Sequence, residues 1–105
     1  MPTTPAQQKH YQENRERYIA QAAQRRAMLA KMVREAKDKP CADCQEKFPY
    51  YVMDFDHVRG KKIAAISRLI NKGSLSALLA EMEKCDVVCA NCHRIRTWSY
   101  LADVA

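Results

Sequence analysis

A chain of 105 residues has room for one small domain and an appendage, and its 18 Lys and Arg against 12 Asp and Glu favour an anionic partner. No run approaches the roughly 18 apolar residues of a membrane span, and Met1 to Gln8 lack the apolar stretch of a secretory leader. Five cysteines, an odd number, then point to metal ligation in a reducing, cytoplasmic setting rather than to a disulfide framework.

Residues 1–8, rich in proline, threonine and glutamine, read as a disordered lead-in. From Lys9 to Lys37 there is neither glycine nor proline, and strong helix formers dominate, so residues 9–39 are expected to form a long basic helix ended by Lys39-Pro40. Tyr11, Tyr18, Ala22, Leu29, Val33 and Ala36 recur at helical spacing as a narrow apolar seam, interrupted by Arg15 and Arg25. Residues 1–40 hold nine Lys and Arg, Arg25 and Arg26 among them, against four acids, whereas the remainder is nearly balanced. Two readings of this helix are open. It packs its seam on the domain with a solvated basic face, or it also lies as an arm along a phosphate backbone.

Residues 40–105 form the expected domain. After the pair Cys41 and Cys44, a strand is expected over Tyr51 to Asp56, where aromatic and β-branched residues gather. Val58 to Lys62 is a basic turn. Helical spacing follows over Ile63 to Asn71, and a further helix is capped by Ser74 with Leu75, Leu78, Leu79 and Met82 on one face. Asp86 to Val88 is extended, and a last helix begins near Ala90 and carries Cys92, His93, Arg94, Arg96 and Thr97. Trp98 in the tail is expected to pack, and Cys85 to be a small buried residue. The fold class is small α+β.

The chemistry lies in the cysteines and in the Asp-Phe-Asp-His run they enclose. Cys41, Cys44, Cys89 and Cys92 form two Cys-x-x-Cys pairs whose spacing lets four thiolates surround one structural Zn²⁺. A core this small gains from such a cross-link. Asp56 and His93 combine a carboxylate and an imidazole suited to Mg²⁺, Mn²⁺ or a transition ion, and His57 suits proton abstraction near neutrality. His93 is alternatively a zinc ligand in place of one cysteine. Asp54 shares a strand face with Asp56 and is a supporting ligand or a structural residue. Arg59, Lys61, Lys62, Arg94 and Arg96 are candidate phosphate contacts, or ordinary surface charges.

Three pieces in order, Cys41-Ala-Asp-Cys44, Val52-Met-Asp-Phe-Asp-His-Val-Arg-Gly60 and Glu83-Lys-Cys-Asp-Val-Val-Cys-Ala-Asn-Cys-His-Arg-Ile-Arg-Thr97, resemble the HNH endonucleases, in particular the small zinc-containing members common in phage genomes. The resemblance implies a ββα-metal core with His57 as general base, a catalytic divalent ion such as Mg²⁺, Mn²⁺ or Ni²⁺ on Asp56 and His93, and hydrolysis of DNA. It also suggests a setting beside phage DNA-packaging machinery. Many members carry an asparagine that orients the base where this chain has Lys84; Asn91 either takes that role or caps the last helix. The competing reading is a zinc-dependent module that binds nucleic acid or a partner without cutting. The presence of Asp56, His57 and His93 together favours the enzyme, with double-stranded DNA as substrate and little base readout.

Overall fold

The computed structural model describes residues 4–104. Helix α1 runs Pro5–Ala36. Its start is a capping box: Thr4 Oγ1 accepts from the Gln7 N–H, and Gln7 Oε1 accepts from the Thr4 N–H, with Pro5 pre-set for the first turn. The helix thus begins before the expected Lys9, and residues 5–8 are helical rather than part of a disordered lead-in, whose residues 1–3 lie outside the described residues. At about 1.5 Å per residue it is about 48 Å long, which accounts for most of the molecule's 60 Å extent.

Only Leu29 and Val33 of α1 are buried. The front of the expected seam stays in solvent, with Tyr11 and Tyr18 stacked on each other at 6.4 Å between ring centroids. Of the expected seam, the last two turns dock and the first five do not.

The chain then forms a 3₁₀ turn at Tyr50–Val52, strand β1 at Met53–His57, helices α2 (Ile66–Lys72) and α3 (Leu75–Glu83), strand β2 at Cys85–Cys89 and helix α4 at Ala90–Val104. This is a small α+β fold of four helices and one two-stranded antiparallel sheet. Gly73, at a φ of 70°, ends α2 in the left-handed conformation that glycine adopts without a Cβ clash. Ser74 caps α3, its Oγ accepting from the Ala77 N–H. The last helix runs on through the expected tail to Val104, and Trp98 stands 72% exposed on it instead of packing.

The register pairs Met53 with Cys89, Phe55 with Val87 and His57 with Cys85 on one face of the sheet, and Asp54 with Val88 and Asp56 with Asp86 on the other. Phe55 packs against two apolar cores. One gathers Leu29, Val33, Ile66, Leu69, Leu78 and Cys85 under α1, α2 and α3; the other gathers Met53, Val87, Val88 and the cysteines Cys41 and Cys89. Cys85 is buried as expected, its thiol donating to the Glu81 carbonyl at 3.3 Å. No helix among the described residues is long and apolar enough to cross a membrane.

Candidate metal centre and active site

Cys41 and Cys44 sit on the loop after Pro40, Cys89 ends β2, and Cys92 lies in the first turn of α4. The loop is sewn to the sheet by the Ala42 N–H donating to the Val87 carbonyl at 3.0 Å and closed by the Cys41 N–H on the Glu46 carbonyl at 2.9 Å. Gln45, directly after the pair, takes a φ of 65°, a left-handed turn that lets the chain fold back over the sulfurs. Backbone N–H groups aim at sulfur: Cys89 on Cys41 Sγ at 3.3 Å and Cys92 on Cys89 Sγ at 3.4 Å.

All four sulfurs lie within 4.8 Å of one another. Ligation at about 2.3 Å around a tetrahedron needs sulfurs about 3.8 Å apart, so a small contraction closes the set. Burial pushes the Cys41 thiol up, but N–H donors from Cys44, Cys89 and Asp43 more than reverse this, bringing it to about 6. Cys92 is pushed up to about 12 by its contact with the Cys89 sulfur and by burial. The group prefers to share few negative charges unless a cation neutralises them, and the four cysteines could hold a metal ion such as zinc. His93 is not among them.

His93 instead faces the polar side of the sheet. Its Nδ1 is 3.0 Å from Asp54 Oδ2, and its Nε2 is 3.5 Å from Asp56 Oδ1. Strand alternation brings the two carboxylates to one face, and α4 lays the imidazole across them. Asp86 lies directly opposite Asp56 in the ladder, a like-charge pairing that Arg96 offsets. The Arg96 guanidinium donates to both oxygens of Asp43 at 2.6 Å, to Asp56 Oδ2 at 2.9 Å and to Asp86 Oδ2 at 3.1 Å. These hydrogen bonds hold Asp43 below the usual carboxylate range, and Arg59 and Arg96 do the same for Asp86. Arg96 is raised in turn, by Asp43 first.

His57 points the other way. Its side chain is on the apolar face, 14% exposed, with Nε2 at 3.2 Å from Glu81 Oε2. Glu81 is 2% exposed and accepts as well from Lys84 Nζ and the Ile63 N–H. The sheet therefore separates the side chains of His57 and of the Asp56–His93 pair. At the strand end Asp56 and His57 line one cavity of about 350 Å³ together with Val58, Arg96, Thr97 and Tyr100, and His93 is not in its lining. A second depression of about 600 Å³, sharing Thr97, is lined by Asp54, Ala90, Asn91, His93 and Arg94.

Two expected phosphate contacts are engaged inside the molecule. Arg59 donates to Asp86 at 2.8 Å and to the carbonyls of Cys85 and Glu83 at 2.6 and 3.0 Å, and Arg96 is held as described. Their role here is to fix the turn after β1 and to seat α4. Lys61, Lys62, Arg94, Arg25 and Arg26 are exposed; the aliphatic part of Arg25 also packs over Gly73. Asn91 is exposed in the first turn of α4 and makes no hydrogen bond to His57 among the described residues. The loop after His57 is held instead by Lys84, whose carbonyl accepts from Val58 and Arg59 at 2.9 and 3.0 Å and whose ammonium donates to the Lys61 carbonyl at 2.8 Å.

Glu81, Asp43 and Asp86 escaped the sequence reading. Glu81 left a trace, since it falls three residues after Leu78 on the apolar face of α3, where a carboxylate needs partners to be buried. Asp43 and Asp86 left none, because Asp43 meets Arg96 from a distant loop and Asp86 meets Arg59 across the sheet and Arg96 from α4. No family model, no curated protein and no solved structure matches the chain.

Proposed function

We propose that the chain is a metal-dependent DNA endonuclease of the HNH kind, hydrolysing phosphodiester bonds at the end of β1. The observation that carries this reading is the orientation of His93. A carboxylate accepting at Nδ1, here Asp54, fixes the tautomer with its proton on Nδ1 and leaves the Nε2 lone pair turned toward Asp56 Oδ1, 3.5 Å away. That is the donor set of a two-ligand divalent site, completed by water and phosphate oxygens. Asp56 and His93 would hold Mg²⁺, Mn²⁺ or Ni²⁺, which when bound neutralises the scissile phosphate and stabilises the leaving 3′ oxygen. Arg96, on Oδ2 of Asp56, leaves Oδ1 free toward the imidazole.

His57 acts as the base. Its Nε2 proton is directed to the Glu81 carboxylate, so Nδ1 is the acceptor for the proton of an attacking water, and His57 borders the same cavity as Asp56. The zinc-linked cysteines fix the start of α4 against the end of β2 and so set the position of His93, one residue after Cys92. Lys61, Lys62 and Arg94 flank the site, and α1, with Arg25 and Arg26, adds affinity for the DNA backbone.

The engagement of Asp56 by Arg96 favours a second reading, a zinc-stabilised binding module in which the carboxylates only seat α4. Plasmid relaxation and linearisation separate the two. Purified zinc-loaded protein is expected to cut with Mg²⁺ or Mn²⁺ and not in EDTA, and a folded His57→Ala protein is expected to have lost cutting. Binding of DNA without cutting by either protein, whatever the metal, would favour the second reading.

A further inference from the structure

The apolar face of α3 carries one acid, and it is the most enclosed charged side chain among the described residues. Glu81 is 2% exposed, among Leu78, Cys85 and the turn after β1. An ionised group in such a place is costly unless each of its oxygens is hydrogen-bonded. Both are: Oε2 takes His57 Nε2 at 3.2 Å and the Ile63 N–H at 3.3 Å, and Oε1 takes the Lys84 ammonium. Lys84, its contact, holds the Glu81 carboxyl below the usual range. An apolar residue would fill this core position as well, so packing does not explain the acid.

An ionised carboxylate only accepts hydrogen bonds. Where it meets an imidazole nitrogen, that nitrogen must carry the proton. We propose that Glu81 is the positioning residue of His57: it fixes the ring in its pocket with the proton on Nε2 and leaves Nδ1 as the basic nitrogen. Lys84 completes the device from the other side. Its ammonium bridges Glu81 and the Lys61 carbonyl, and its own carbonyl holds Val58 and Arg59, so the turn that follows His57 cannot shift without breaking these bonds. This part stands in place of the asparagine expected to orient the base. The assignment rests on the reading of His57 as the base, while the tautomer it requires is measurable without any reaction.

The test is long-range ¹⁵N–¹H NMR of the histidine rings in zinc-loaded protein at about pH 8, above the ordinary imidazole range, with His57→Ala supplying the assignment. Wild-type His57 is expected as the Nε2–H tautomer. In Glu81→Gln, whose amide matches the carboxylate in size, the tautomers are expected to mix, and cleavage to fall by about 10²-fold or more, the scale of general-base catalysis, with zinc content unchanged. The opposite tautomer or an averaged ring in the wild type would overturn the proposal, and this measurement needs no variant to fold. So would a folded Glu81→Gln protein with an unchanged His57 tautomer. The expected tautomer change without cleavage by any protein would count against the nuclease reading and leave the Glu81–His57 relation in force.

Discussion

Replacing Leu29 with alanine separates two accounts of how α1 is attached. By sequence the apolar seam runs from Tyr11 to Ala36 and spreads the contact over seven turns. In the structure Leu29 is fully buried, Val33 nearly so, and Tyr18 and Ile19 are 44% and 54% exposed. Leu29 packs with Val33, Ile66, Leu69 and Leu78 in the core beneath α2 and α3. Truncating a fully buried leucine removes its transfer free energy and leaves a cavity, at a cost of about 3–4 kcal/mol. In a domain of this size each kcal/mol moves the midpoint by roughly 4–8 °C, so thermal unfolding of zinc-loaded Leu29→Ala is expected to occur at least about 12 °C below wild type. Ile19→Ala, on the same helix but in solvent, is expected within about 0.5 kcal/mol of wild type. Circular dichroism on both proteins decides. A cost below about 1 kcal/mol at Leu29, or a comparable cost at Ile19, would refute the two-residue attachment.

Gln45→Gly relieves a left-handed φ and is expected to raise stability by about 0.5–1 kcal/mol, read as a small rise in unfolding midpoint; a fall would mean the glutamine's 3.1 Å bond to the Ala42 carbonyl matters more than the strain. Arg96→Met is expected to lower the midpoint at neutral pH, with a gap that narrows in acid. Asp43 and Asp86 are depressed below their unfolded values, so what they add through Arg96 is present above about pH 4 and lost as pH falls through their folded values; melts at pH 7 and pH 3 that show a constant gap would contradict this. Zinc uptake is expected to release protons at neutral pH, because Cys92 starts near 12 and must ionise to bind. Calorimetry in buffers of different ionisation enthalpy measures the number, and a value of zero would mean that the sulfurs do not take the metal.

The parts legible in the sequence are those with local signatures. The Cys-x-x-Cys pairs, Ser74 and the periodicity of α2 and α3 each depend on residues a few positions apart, although α1 ends at Ala36, ahead of the expected stop at Lys39-Pro40, and α2 starts at Ile66 rather than Ile63. The start of α1 also had a local signature, Thr4-Pro5-Ala-Gln7, but its proline and polar residues equally suit an unstructured segment, and the capping box separates the two only through side-chain hydrogen bonds. Strand alternation brings Asp54 and Asp56 to one face and sends His57 to the other, a separation that follows from the register alone. Arg59 and Arg96 read as free cations because their carboxylates arrive through the sheet and from the loop at Asp43. Trp98 breaks the rule that a large aromatic buries itself: it stands exposed on α4, whose sheet-facing positions are taken by His93 and Arg96.

The proposed function requires Asp56 and His93 to form a divalent-ion site distinct from the four cysteines. The most direct test is Mn²⁺ binding to zinc-loaded protein, followed by electron paramagnetic resonance, in wild type and in His93→Ala of unchanged zinc content. One bound Mn²⁺ is expected in the wild type, and its loss in the variant. Equal binding by the two proteins, or none by the wild type, would contradict it.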